Sequence, residues 1–190
     1  RYEYDIKHLF YKKHEAYAFS DKHGRLPVFS IDISDKDAKK AYVVTGYRKW
    51  WLEYEKVSSD KRYAYEVVLA DLPCHLYVDM DAEYCTNPEL KGRIDRIFER
   101  LLSELIEFIK HMHIAPKKCL DNAKIIILDS SKSSKFSKHC TIKIPQTLFE
   151  NNYYCGAFIR RFQIHILSKY GPKETNPFFV HPVNNNKQTS

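Results

Sequence analysis

Asp79 and Asp81 close a short apolar run, His75-Leu76-Tyr77-Val78-Asp79-Met80-Asp81. On a β-strand, residues two apart share a face, so the two carboxylates lie roughly 7 Å apart along the backbone. Two acids held side by side repel each other, and a divalent cation relieves that repulsion. Hard oxygen ligands of this kind suit Mg²⁺ or Mn²⁺, and a phosphoryl-transfer site of the polymerase type needs such a pair. Ending a buried strand in two acids is costly without a partner. That cost favours metal binding over the plain alternative, two exposed strand-end acids. Glu83 continues the alternation, either as a third ligand or as a solvated side chain.

A second group of polar residues runs from Ser130 to His139, Ser-Ser-Lys-Ser-Ser-Lys-Phe-Ser-Lys-His. Hydroxyls, ammonium groups and backbone N–H groups in one stretch can receive phosphate oxygens. With no glycine, it is not a Walker loop. Ser137 and His139 alternate, which puts them on one face at the start of a strand. The alternative is a flexible, solvated loop with a structural histidine after it. A helix separates this group from the acidic one. If the two strands share a sheet, metal and triphosphate meet over one face.

The elements that must position these residues follow from periodicity. Arg1 to Lys13 is weakly helical. Val28 to Ile33 and Tyr42 to Thr45 read as strands, with a polar turn at Asp35 to Lys40 between them. Tyr47, Trp50, Trp51 and Tyr54 form an aromatic stripe at helical spacing. Tyr65 to Leu69 is a strand candidate, broken by Ala70 to Pro73, that would neighbour the Asp79/Asp81 strand. Pro88 opens the strongest helix, whose apolar face is Ile94, Ile97, Phe98, Leu101, Leu105 and Ile109 and which ends before Pro116. Lys124 to Leu128 reads as a buried strand and His139 to Ile144 as another. Cys155, Phe158, Ile159, Phe162 and Ile166 line one face of a last helix, with Gly171 as its C-terminal cap. Strands alternating with long helices predict an α/β or α+β sandwich.

Composition narrows the class. A chain of 190 residues, 44% of them hydrophobic, is long enough for one domain or two small modules and too apolar for disorder. Five scattered cysteines (Cys74, Cys85, Cys119, Cys140, Cys155) without a Cys-x-x-Cys spacing point to free thiols in a reducing, intracellular compartment. No apolar run approaches the roughly 20 residues of a membrane span, and no signal peptide is visible, so no membrane role is expected. The net charge of +7 fits a polyanionic partner. With 14 Tyr, 11 Phe and 2 Trp, aromatic side chains either form stacking platforms for bases or fill the core. The first residue is Arg1 and the last stretch, Asn184 to Ser190, is polar, which leads us to expect a piece of a longer chain.

Four blocks resemble the archaeo-eukaryotic primase superfamily, and within it the eukaryotic primase-polymerase (PrimPol) family. They are Ala41-Tyr42-Val43-Val44-Thr45-Gly46-Tyr47 with Trp50 and Tyr54; Tyr65-Glu66-Val67; Cys74 through Asp81; and Leu128-Asp129-Ser130-Ser131 through Lys135-Phe136-Ser137-Lys138-His139. Order and spacing match over about Tyr42 to Ile144. The last block is the most specific.

The resemblance implies the N-terminal part of a catalytic core. An N-terminal αβ module of approximately residues 1–70 would precede a metal- and nucleotide-binding module, residues 71–190, with an RRM-like sheet and packed helices. Asp79 and Asp81 match metal-binding carboxylates for Mg²⁺ or Mn²⁺. Ser137 and His139 match the Ser-x-His motif that holds the incoming dNTP or NTP; Lys135 and Ser131 would add phosphate contacts. Tyr65 matches an aromatic position facing the nucleotide sugar. Lys40 and Tyr54 match positions that meet template or nucleotide, with a core role the alternative for Tyr54. The implied partners are single-stranded DNA template, primer and replication proteins, in nucleus or mitochondrion, with tasks in DNA replication and damage tolerance. The chain departs from the family in having Asp-x-Asp where Asp-x-Glu is usual. It also lacks a third aspartate on a later strand, the basic residues after it, and a Cys/His zinc module. Two alternatives remain: a non-catalytic nucleic-acid-binding module with the same fold, and a Mn²⁺-dependent glycosyltransferase, which also uses Asp-x-Asp.

Overall fold

The computed structural model describes residues 8–33, 39–62 and 64–171. The protein has an α+β fold, and its chain divides into two units, Arg1–Val68 and Leu69–Ser190.

The first unit is a small antiparallel sheet with a helix on each face. In chain order it holds β1 (Leu9–Phe10), α1 (Lys13–Lys22), β2 (Val28–Asp32), β3 (Lys40–Val44), α2 (Tyr47–Tyr54) and β4 (Ala64–Glu66). The sheet order is β1-β3-β2-β4. Register Phe29↔Val43 and Ile31↔Ala41 puts four apolar side chains on one face, where α2 covers them. Trp50 of α2 lies flat on Phe29, with ring centroids 4.2 Å apart. Val28 and Val44 point to the other face, against α1, and both are fully buried.

Several expectations change here. Leu9–Phe10 is a strand paired with β3 (Leu9↔Val43), where a helix over Arg1 to Lys13 was expected; residues 1–7 lie outside the described residues. The periodicity does not reveal α1. Its fully buried residues are Ala16 and Ser20, small side chains that leave no apolar stripe. The aromatic stripe of α2 is only partly a core face, since Tyr47 and Trp51 are exposed. Most of the polar turn at Asp35 to Lys40 lies outside the described residues, and Lys40 already belongs to β3.

The second unit holds β5 (Leu76–Glu83), α3 (Ile94–His111), α4 (Lys117–Asp121), β6 (Lys124–Asp129), β7 (Lys135–Lys143) and α5 (Asn152–Tyr170). Its sheet is fully antiparallel, in the order β5-β7-β6. The even-numbered residues Leu76, Ala82, Phe136, Cys140 and Ile142 are buried against Ile94, Phe98, Leu105, Phe108 and Ile109 of α3 and Cys155, Phe158, Phe162 and Ile166 of α5. Phe108 binds the two helices together, with its ring 5.3 Å from that of Phe158 and 5.5 Å from that of Phe162. Asn151 caps α5: its side-chain oxygen accepts from the N–H groups of Tyr153 and Tyr154. Gly171 follows the helix as its C-cap at φ +91°, as the sequence suggests.

The strand expected at Tyr65 to Leu69 is shorter and pairs elsewhere. Only Ala64–Glu66 is a strand, and it joins β2 (Ser30↔Tyr65), not β5. The partner of β5 is β7, through eight consecutive residue pairs from Leu76↔Ile142 to Glu83↔Lys135. A ladder that long, with matched apolar faces, outweighs pairing with a three-residue neighbour. Pro88 opens only a single 3₁₀ turn, Pro88–Leu90. Gly92, at φ +79°, then redirects the chain, and α3 begins at Ile94. The run Lys124 to Leu128, expected to be buried, is an exposed edge strand at every position. β7 begins at Lys135 instead of His139, so Lys135 and Ser137 are strand residues and the polar loop shrinks to residues 130–134.

Candidate functional site

The β5–β7 ladder places the two polar groups of the sequence opposite each other. Asp79 pairs with His139, Asp81 with Ser137, and Glu83 with Lys135. Paired residues of an antiparallel ladder share a face. Here that face is the one turned away from α3 and α5. Leu76 and Ala82, Phe136 and Cys140 draw the even positions into the core, which turns the odd positions outward. A slip of one residue would bury both aspartates among phenylalanines, so the apolar pattern itself fixes the register.

Asp79 and Asp81 are each 58% exposed. The Nδ1 of His139 lies 2.8 Å from Oδ1 of Asp79. An ionised carboxylate only accepts, so Nδ1 carries the hydrogen and donates it, and Nε2 is the nitrogen available to a ligand. Lys135 Nζ is 3.6 Å from Oδ1 of Asp81. The two aspartates of β5 therefore each have a nitrogen-bearing side chain of β7 beside them. Ser137, on the central strand, is buried at 2% exposure.

Ser131 secures the loop that precedes β7. Its Oγ accepts the backbone N–H of Ser137 at 3.1 Å, while Ser130 N–H donates to the Ser137 carbonyl at 2.8 Å. Asp129 holds the turn from the other side, its Oδ1 accepting the Ser131 N–H at 2.9 Å. Behind the sheet, Lys138 donates to Asp95 at the start of α3, at 2.6 Å, and lies 3.6 Å from Asp129 Oδ2. Its ammonium sits about equally far from the rings of Phe98 (5.1 Å) and Phe136 (5.2 Å). Sequence reasoning missed this clamp. The signal was present: Lys138 alternates with Phe136 and Cys140, so a lysine occupies the apolar face and needs acidic partners there.

Hydrogen bonds from the Ser131 hydroxyl and backbone N–H hold the Asp129 carboxyl below the usual carboxylate range. The bond to Asp95 raises Lys138 above the usual lysine value. A depressed acid contributes stability above its unfolded pKa and loses it as pH falls through the folded one. A raised lysine contributes below its unfolded pKa and loses that contribution as pH rises through the folded one. The loop tie is thus complete across the neutral range and fails first in acid. In an NMR titration, the Ser131 amide is expected to shift with a midpoint below about 3.9, the ordinary aspartate value. A midpoint at or above that value would remove Asp129 from the tie.

The remaining predicted residues lie in the first unit. Tyr65 is exposed on β4, with the Lys40 ammonium 5.3 Å from its ring centroid. Lys40 also lies 3.1 Å from Asp32. These two residues share one face of their sheet. Tyr54 does not: it packs on Trp50 and Trp51, in each case 5.8 Å between centroids, beside the core of the opposite face.

Two adjacent carboxylates fit a hard divalent cation such as Mg²⁺, which binds through one or two carboxylates and completes its shell with water and phosphate. Among the described residues, no group of three or more His, Cys, Asp or Glu side chains is arranged to hold a metal ion. Asp79 and Asp81 would supply the protein oxygens; Glu83, the next acid on the same face of β5, does not join them in such a group.

The chain is similar in sequence to known proteins. No protein-family model matches the chain. It is 29% identical over 177 residues to a DNA-directed primase/polymerase protein of Danio rerio, an alignment that covers 90% of this chain and 32% of the relative. The human (Homo sapiens) protein of the same name is 26% identical over 175 residues, covering 89% and 29%. That of Mus musculus is 25% identical over 166 residues, covering 85% and 30%. The chain spans about a third of the length of the curated relatives it matches. Over most of its own length the chain is similar to DNA-directed primase/polymerase proteins, and that similarity supports the primase-polymerase family.

Proposed function

We propose that the β5–β7 face is the metal- and triphosphate-binding half of a template-directed nucleotidyltransferase, acting with (d)NTP on single-stranded DNA. The observation that carries this reading is the register: Asp79 and Asp81 on one strand directly face His139 and Ser137 on the next, and Lys135, two residues before Ser137, reaches Asp81 diagonally. In the free protein, Lys135 neutralises Asp81, and Asp79 accepts a hydrogen bond from His139. A metal–triphosphate complex offers each side a stronger partner: the carboxylates receive a cation, and Lys135 and His139 receive phosphate oxygens.

Mg²⁺ or Mn²⁺ held at Asp79 and Asp81 would neutralise charge on the transferring phosphoryl group and the leaving pyrophosphate. The chain's own residues position. Lys135 fixes the triphosphate tail as a point charge. His139, kept in one orientation by its Nδ1 bond to Asp79, would donate Nε2–H to a phosphate oxygen in its doubly protonated form. Ser131, Asp129 and Lys138 keep the Ser137 segment in place. No covalent intermediate is required, so the contribution is alignment and preorganised charge. Tyr65 and Lys40 provide an aromatic and a basic surface suited to a sugar or base and a phosphate. The resemblance calls for a third carboxylate, and among the described residues none is arranged with Asp79 and Asp81 to hold a metal ion.

Primer extension on a single-stranded template, by the intact protein with Mn²⁺ or Mg²⁺, tests the activity. Within it, His139→Ala is expected to weaken triphosphate binding about tenfold or more, the value of one charge-assisted hydrogen bond at 1.5–3 kcal/mol. Unchanged affinity would remove His139 from the site. Binding of single-stranded DNA without any nucleotide incorporation would favour the alternative, a non-catalytic module of the same fold.

A further inference from the structure

The odd-numbered face of the second sheet continues beyond His139, and its far end has no role in the site just described. Going along β7, the next outward residues are Thr141 and Lys143. Their partners on β6 are Ile126 and Lys124, and Leu128 faces His139. Lys124 and Lys143 are therefore directly opposed, both exposed, at the mouth of an open cleft of about 540 Å³ whose wall includes Asn122, Gln146 and Thr147.

Like charges directly opposite on a ladder destabilise it. Elsewhere on this sheet the lysines have acids: Lys135 has Asp81, and Lys138 has Asp95 and Asp129. Among the described residues, neither Lys124 nor Lys143 has an ion pair. From this pair toward His139, the outward residues of β6 are Ile126 and then Leu128, which is level with His139; they are 41% and 55% exposed. Apolar side chains in the open, bordered by two unneutralised lysines, suit a ligand that is anionic along one edge and apolar along the other. A single-stranded nucleic acid has that character, with phosphates along its backbone and flat, apolar base faces. Lys143 stands four residues from His139, roughly 13 Å along the strand. That is too far for one triphosphate tail to span both sites, but within reach of a strand whose end lies at the acids.

We propose that Lys124 and Lys143 form a backbone-phosphate subsite for the single strand that enters the Asp79/His139 site, with Ile126 and Leu128 as its apolar floor. The proposal rests on the nucleotidyltransferase reading for its direction along β7. The lysines hold the strand by charge and carry no sequence information, while the two apolar residues act through contact.

The test measures binding of a fluorescein-labelled oligothymidylate to the intact protein, by anisotropy at several salt concentrations, with dNTP–Mn²⁺ binding measured on the same samples. The double variant Lys124→Gln/Lys143→Gln is expected to bind the oligonucleotide about tenfold more weakly. Its plot of log affinity against log salt should be shallower by about 1.4, the release expected for two phosphate contacts on a single strand. The pair Ile126→Ser/Leu128→Ser should weaken binding with the slope unchanged. Retained dNTP–Mn²⁺ binding shows that both variants are folded. Wild-type affinity and slope in the lysine variant, alongside normal dNTP binding, would overturn the subsite and leave the nucleotidyltransferase reading standing. Loss of oligonucleotide binding by a lysine variant with the wild-type circular dichroism spectrum, in a protein whose wild type binds no dNTP, would support the subsite and defeat that reading. Competition by poly-glutamate as effective as by unlabelled oligothymidylate would overturn the nucleic-acid assignment in favour of an acidic peptide.

Discussion

Replacing Asp79 and Asp81 together by asparagine is expected to lower nucleotidyl transfer by the intact protein at least about a thousandfold. A bound divalent cation is worth several kcal/mol of charge stabilisation in phosphoryl transfer, and each 1.36 kcal/mol is a factor of ten in rate. Asparagine keeps the size of each side chain and one acceptor oxygen but removes the charge that holds the cation. The fold should not register the change. Both residues are more than half exposed, and the contacts they lose, to His139 and Lys135, are exposed pairs worth roughly 0–1 kcal/mol. Removing two adjacent like charges offsets part of even that. Primer extension and urea unfolding, run on the same preparations, separate the two effects. A variant that extends primers at more than a tenth of the wild-type rate would contradict the metal assignment. One that fails to fold would show that the acids are structural.

The second large effect is structural and lies one residue from Ser137. Phe136→Ala is expected to destabilise the protein by about 3–5 kcal/mol, the usual cost of emptying a buried aromatic site. Phe136 is 2% exposed. Its ring centroid lies 5.9 Å from that of Phe98 and 5.2 Å from the Lys138 ammonium, and it faces Ala82 on β5, too small to fill the space it would leave. Against a total stability of 5–15 kcal/mol, such a loss lowers the melting temperature by about 6–20 °C. Phe136→Leu, which keeps much of the apolar volume, should cost less. A loss below 1 kcal/mol for the alanine variant in urea unfolding would contradict the packing described. Because Phe136 lies between Lys135 and Ser137, its seating in the core also fixes the phase of both outward residues.

What was legible in the sequence is what a period of two or 3.6 can carry. Asp79 and Asp81 share a face, as do Ser137 and His139. The faces of α3 and α5 follow the same local logic: Phe98, Leu105 and Ile109, and Phe158, Phe162 and Ile166, are buried as their spacing implies. Pairing was not legible, because strand partners are chosen by tertiary competition among ladders and each strand's own pattern is silent on it. So β4 joined β2, and the eight-pair match with β7 took β5. Burial of an edge was equally hidden: Ile125, Ile126 and Ile127 look like a core strand, but only β7 flanks them and both of their faces remain open. Lys138 escaped because a stretch of serine and lysine suggests solvent, whereas strand alternation sends every second residue inward.

The most direct test of the central claim is the dependence of dNTP binding on Mn²⁺, measured by titration for the wild type and for Asp79→Asn/Asp81→Asn. If the β5–β7 face is a joint metal and triphosphate site, Mn²⁺ tightens dNTP binding at least about tenfold in the wild type, the equivalent of 1.4 kcal/mol of coupling. In the variant that enhancement disappears, while weak metal-free binding through Lys135 and His139 survives. Equal enhancement by Mn²⁺ in both proteins would place the metal elsewhere and contradict the account.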